Sequence, residues 1–193
     1  ASPPEPPAMT DTPPRPTETS FLRRYRQELS FLILFVVLLG GGFTLIAWNP
    51  VNDHVIEPFT GAIAKTSGAV LSAIGQGTQM QGTVIRSPRF AVNIKNGCNG
   101  VEAMIIYFAA VLAFPAPWKS KATGLAFGFV AIQLVNLIRV VALFLTGVYF
   151  PKLFDSSHTV IWQTIVILAG VLLWILWANR LAPPPRPDAE AKA

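Results

Sequence analysis

The chain of 193 residues has one cysteine, Cys98, and two histidines, His54 and His158. A single thiol excludes an intrachain disulfide and any multi-cysteine metal site. With so few histidines, a protein-built zinc centre is not expected either. Charge is also scarce, at 13% of residues against 52% hydrophobic, and mean hydropathy is +0.48. That balance excludes an ordinary soluble domain. There are no internal repeats. The formal charge of +5 is modest. Basic residues flanking membrane spans account for it, so no nucleic-acid partner is inferred. What the chain does have is apolar and aromatic: five Trp and thirteen Phe, as in a membrane protein with aromatic interfaces.

Proline is confined largely to the ends. Residues 1–20, ASPPEPPAMTDTPPRPTETS, have no apolar periodicity and read as disordered, and APPPRPDAEAKA at 182–193 reads the same way. Met9 is a candidate natural start, with 1–8 a leader. The expected organisation is a Pro-rich, basic N-terminal segment (1–28), a membrane-embedded domain (29–181) and a disordered tail (182–193).

Four apolar runs lie between: 28–48, 101–114, 123–149 and 159–178. The first is long enough for about 30 Å of hydrocarbon at about 1.5 Å per residue. The second is short and is ended by PAPWKSKA. With four spans, Arg23, Arg24, Arg26, Lys119, Lys121, Arg180 and Arg186 fall on one side. Lys65, Arg86, Arg89, Lys95 and Lys152 fall on the other. The basic residues nearest the span ends favour cytoplasmic termini and outward-facing segments at 49–100 and 150–158.

The long outer segment divides in two. In 55–75, Ile56, Phe59, Ile63, Val70 and Ile74 recur at helical spacing among polar residues, predicting an amphipathic helix in the interface. A fifth span is the rival reading. In 81–96, apolar and polar residues alternate around Ser87-Pro88, predicting a small β-hairpin with Phe90, Val92 and Ile94 on one face. The expected fold is therefore an all-α polytopic membrane protein with about four transmembrane helices, or five, an interfacial helix and an outer hairpin.

Three residues could carry chemistry. Cys98 sits in NGCNGVEA, where Gly97 and Gly100 permit a tight turn. A helix beginning near 99–101 would put its positive end by the thiol and favour the thiolate. A small inert residue in a turn is the competing reading. Arg139 lies in a run with no other charge from 123 to 149, ten residues from its outer end, roughly 15 Å. At that depth an Arg needs a polar cavity and a partner. Gln133 and Asn136 precede it on the same side of the helix. Snorkelling, or an ion pair with Glu102, is the alternative. His158 opens the last span, where Asp155, Ser156 or Ser157 could cap the helix. Alone it reads as an interfacial His, and His54 as a solvent-side one. Glu102 shares a helix face with Cys98. Cys plus His is the minimum pair for thiol acyl transfer, and Arg adds a fixed charge for thiolate or oxyanion.

The motifs NGCNGVEA, NLIRVVALF and DSSHTVIWQ, in this order on membrane segments, resemble the exosortase/archaeosortase family, and exosortase H most closely. The likeness runs from about residue 50 to 177. This chain is shorter than many exosortases, which carry extra N-terminal spans. The resemblance implies a cysteine transpeptidase or protease of the bacterial inner membrane, active on the periplasmic side, with no cofactor or metal. Its implied catalytic residues are Cys98, Arg139 and His158. Asn99, Gly100, Glu102 and Asn136 are supporting candidates for oxyanion binding or pairing. The implied partners are exported proteins with a C-terminal sorting signal, an Ile-Pro-Thr-Leu…Trp-Gly motif followed by a helix and a basic tail. The acceptor nucleophile is unspecified. The residues alone also leave open a small transporter, with Arg139, Gln133 and Asn136 along its path. A non-catalytic assembly factor binding other helices through Gly40–Gly42 and Gly124/Gly128 stays open too.

Overall fold

The computed structural model describes residues 25–154, 158 and 161–180. Among the described residues the main elements are five helices and a small sheet: α1 (Arg26–Ala47), α2 (Glu57–Ala73), β1 (Gln79–Gln81), β2 (Val84–Arg86), β3 (Ala91–Asn93), α3 (Val101–Ala113), α4 (Trp118–Tyr149) and α5 (Trp162–Arg180). Among the described residues, α1, α4 and α5 are long and apolar enough to cross a membrane, and α3 is a shorter apolar helix. The protein is a polytopic membrane protein.

The four apolar helices alternate in direction. At one end the start of α1, the end of α3 and the end of α5 meet through Phe31, Phe114, Trp174 and Trp177. Trp177 Nε1 donates to Ser120 O near the start of α4 at 3.1 Å. The 13 residues of α3 span only about 20 Å, short of a full crossing. Pro115 and Pro117 follow its C-terminus, and the Lys121 ammonium donates to Leu112 O at 2.6 Å, meeting a carbonyl the helix leaves unpaired. Leu32, Ile33, Val36 and Val37 on α1, and Leu168, Leu172 and Leu176 on α5, are exposed. A membrane supplies the solvent such faces need. Exposed Trp48 and Tyr149 at one end, and Trp118 at the other, suit the two interfaces.

α3 is the hub of this bundle. Tyr107 is buried and its hydroxyl donates to Gly124 O at 3.0 Å. Gly128 lies against the Tyr107 ring and Gly124 against Trp177, while Gly42 admits Ile105. These glycines are therefore spent on internal packing, whereas Gly40 and Gly41 face open space.

The segment between α1 and α3 departs from expectation in two details. First, the sheet has three antiparallel strands rather than two, in the order β1-β2-β3. The expected hairpin is β2–β3, with Ile85 opposite Val92. The added strand, Gln79–Gln81, pairs Met80 with Ile85. It is polar and exposed, so no alternation announces it, and Met80 docks it against Gly68 of α2. Second, α2 buries Thr60, Ala64, Ser67, Gly68 and Leu71, while Val70 and Ile74 are exposed. The inward face is mostly of small residues because the sheet and α4 approach closely there, with Leu71 the bulky exception. A π-helical turn, Asn52–Ile56, leads into α2. There the Glu57 N–H reaches back five residues to Asn52 O, just before Pro58, which has no N–H to give. This helix is not among those long and apolar enough to cross.

Two buried clusters result. One, centred on Met104, Tyr107, Ile132 and Trp177, fills the bundle. The other, Ala64, Leu71, Ile85, Ile94, Val140 and Phe144, lies under the sheet, with Phe90, Val92 and Cys98 packed against it.

Candidate active site

Cys98 stands in a turn between β3 and α3. Gly97 and Gly100 take φ of +87° and +76°, a region costly for any side chain with a Cβ. The turn is tied down from within. The Gly97 N–H donates to Glu102 Oε1 at 2.6 Å, the Cys98 N–H to Lys95 O at 2.9 Å, and the Val101 N–H to Asn99 Oδ1 at 3.0 Å. Asn99, fully buried, also donates from Nδ2 to Thr60 Oγ1 at 3.0 Å and to Asn96 Oδ1 at 3.1 Å. Asn96 in turn donates to Asn52 Oδ1 at 2.9 Å. A ladder of amides thus anchors the turn to the π turn and α2. Asn99 acts as a brace, and Glu102 holds Gly97.

Arg139, on α4, is 2% exposed. Its Nη2 donates to Cys98 Sγ at 3.8 Å, while its Nε has no partner. His158 brings Nε2 to 2.7 Å from Cys98 Sγ. The three side chains come from three separate segments and converge on one sulfur. Asp155, Ser156 and Ser157, the expected caps beside His158, lie outside the described residues. His54, exposed, holds Pro50 O at 2.9 Å.

One contact has no counterpart in the sequence reading. Phe154 stacks on the His158 ring, with centroids 5.9 Å apart and planes 11° from parallel. Phe90, immediately before β3, meets Phe154 edge-on at 5.2 Å and Phe144 of α4 at 5.7 Å. The sheet therefore reaches the imidazole through an aromatic relay. An aromatic four residues before the histidine was the available signal, but spacing alone could not say that the rings stack.

Burial pushes the Cys98 thiol up from its ordinary value; Arg139 opposes this, and Glu102 adds to it. Desolvation outweighs the Arg139 effect that was expected to favour the thiolate. Among the described residues no group of three or more His, Cys, Asp or Glu is placed to hold a metal ion.

A half-buried cysteine is thus touched by an imidazole nitrogen and a guanidinium at a glycine-framed helix start between apolar helices. Residues 18–176 match the family described as transmembrane exosortase (Exosortase_EpsH). The chain belongs to the transmembrane exosortase family. No curated protein and no solved structure matches it. The family match covers α1, the sheet, α3, α4 and most of α5, and so includes Cys98, Arg139 and His158.

Proposed function

We propose that this exosortase-family protein is a membrane cysteine transpeptidase or protease. It would cleave a C-terminal sorting signal, of the Ile-Pro-Thr-Leu…Trp-Gly type followed by a helix and a basic tail, from exported proteins. The observation that carries the reading is the convergence of His158 Nε2 at 2.7 Å and Arg139 Nη2 at 3.8 Å on Cys98 Sγ. The termini would be cytoplasmic and the sulfur on the periplasmic side of the inner membrane. Arg26, Lys119, Lys121 and Arg180 all lie at the opposite end of the bundle from Cys98, which supports that orientation.

The chemistry follows from the contacts. Because burial holds Cys98 up, the resting sulfur is a thiol, and His158 Nε2 takes its proton as attack begins. The Sγ–C bond forms, the carbonyl pair moves onto oxygen, and Arg139 offsets the charge. When the oxyanion collapses, the C–N bond breaks and His158 returns the proton to the departing amine. The thioester is then resolved by water or by an acceptor nucleophile, again through His158.

The test is co-expression with a tagged exported reporter ending in such a signal, with mass spectrometry of the new C-terminus. Wild-type protein should release the signal, and Cys98→Ala should release none. Cleavage by Cys98→Ala at the wild-type rate would falsify the reading, and so would a reporter left intact by the wild-type protein.

A further inference from the structure

Asn136 lies one turn before Arg139 on α4, on the same face. It is fully buried, yet neither Nδ2 nor Oδ1 has a hydrogen-bond partner. Counting Arg139 Nε, three buried polar atoms on one helical turn are unmet. Elsewhere on α4 polar groups are answered: Gln133 Nε2 reaches Met104 Sδ at 3.3 Å, and Thr146 donates to Ala142 O at 2.8 Å. Among the described residues the other unmet buried atoms, Ser67 Oγ and Trp174 Nε1, are single and on other helices. Buried amides are almost always paired, so three orphans on one turn mark the seat of a missing partner. That place is the cysteine turn. A Cβ on Gly100 would lie 3.2 Å from Asn136 Cγ and 3.3 Å from its Cβ.

The amide's chemistry narrows the partner. A carboxamide offers two donor hydrogens and an acceptor without charge. A lipid chain would leave all of these unmet, and an anion would use only the donors. A peptide unit, with C=O and N–H, uses both kinds. The turn cannot supply those donors through its N–H groups at 97, 98 and 101, because each is already given to Glu102, Lys95 or Asn99. The N–H groups at 99 and 100 and the side chains of α4 remain, and among them Asn136 alone offers an unmet donor and an unmet acceptor on one group.

We propose that the Asn136 carboxamide binds the peptide unit at the scissile bond, donating from Nδ2 to the carbonyl oxygen as Cys98 attacks. This rests on the reading of Cys98 as the nucleophile. When the Sγ–C bond forms and the carbonyl pair moves to oxygen, Asn136 and Arg139 share the developing charge. The C=O is restored as the C–N bond breaks and His158 protonates the amine. Asn136 neither gives nor takes a proton.

The test is Asn136→Leu, with the same branching and number of side-chain heavy atoms but no polar ones, assayed on the same sorting-signal reporter. Rates are normalised to the fraction of Cys98 that iodoacetamide can label. Removing orphan atoms should leave unfolding in detergent unchanged or stabilised. Thioester formation should slow by about 10²–10³-fold, mostly in kcat, as for loss of one oxyanion donor. Cleavage within a few-fold of wild type by Asn136→Leu would overturn the proposal while an inactive Cys98→Ala kept the enzyme reading intact. Activity in Cys98→Ala would overturn both. Should Asn136→Leu not fold, Asn136→Ala decides by the same rate, and near-normal turnover per labelled cysteine overturns it.

Discussion

Replacing Gly100 by alanine separates the two duties of that residue. Its φ of +76° costs a side-chain-bearing residue about 1–2 kcal/mol. The new Cβ would also stand 3.1 Å from Gln133 Nε2 and 3.2 Å from Asn136 Cγ. Gln133 is long and can yield; Asn136 is short and fully buried and cannot. Crowding of this kind adds about 1–3 kcal/mol. Gly97 is the matched control. Its φ is +87°, but a Cβ there meets nothing within 4 Å, so Gly97→Ala carries the backbone cost alone. Gly100→Ala should therefore be less stable than Gly97→Ala by about 1–3 kcal/mol in reversible unfolding from mixed micelles. It should also be slower. A turn displaced by part of an ångström moves Sγ away from His158, and loss of about tenfold in cleavage rate is expected, given that a 1 Å error costs about 10²-fold. Adding Gln133→Ala should return only the part of the stability loss due to that contact. Equal stability and equal rates for the two alanine variants would refute the claim that α4 presses against the cysteine turn.

The Cys98 thiol is raised by burial, so its thiolate fraction at pH 7 is below that of a free thiol. Iodoacetamide labelling should climb with pH through a midpoint above the ordinary thiol value of about 8.5. Arg139→Gln removes a lowering influence and should move the midpoint up; Glu102→Gln removes a raising one and should move it down. A wild-type midpoint below that value would contradict the burial argument. In the bundle, Gly128→Ala would drive a methyl into the Tyr107 ring, whereas Gly40 faces open space. The first should lose about 1–3 kcal/mol and the second should lose nothing, or gain up to about 1 kcal/mol of helix propensity. Comparable unfolding midpoints for the two would show that α3 and α4 are not packed as described.

Much of the site was readable along the chain because its determinants are local. Apolar runs of sufficient length announce α1, α4 and α5 whatever surrounds them. PAPWKSKA ends α3 because proline cannot continue a helix. Gly97 and Gly100 signal a turn that only positive φ allows, and α3 begins directly after it. A lone charge amid apolar residues marks Arg139 as needing a partner.

What depended on packing was not readable. The polar strand β1 exists because Met80 finds Gly68, a contact no period predicts. The buried face of α2 is mostly small residues, Leu71 apart, since the closeness of the sheet and α4 decides which side chains fit. Glu102 was a candidate partner for Arg139, yet its carboxylate takes the Gly97 N–H because that donor lies within reach inside the same turn. Residue types along the chain nominated Cys98, Arg139 and His158. Their meeting across separations of 41 and 60 residues belongs to the tertiary structure. So do the stacking of Phe154 on the imidazole and the unmet amide of Asn136, because distance between segments is set by how helices and sheet pack and not by their order in sequence.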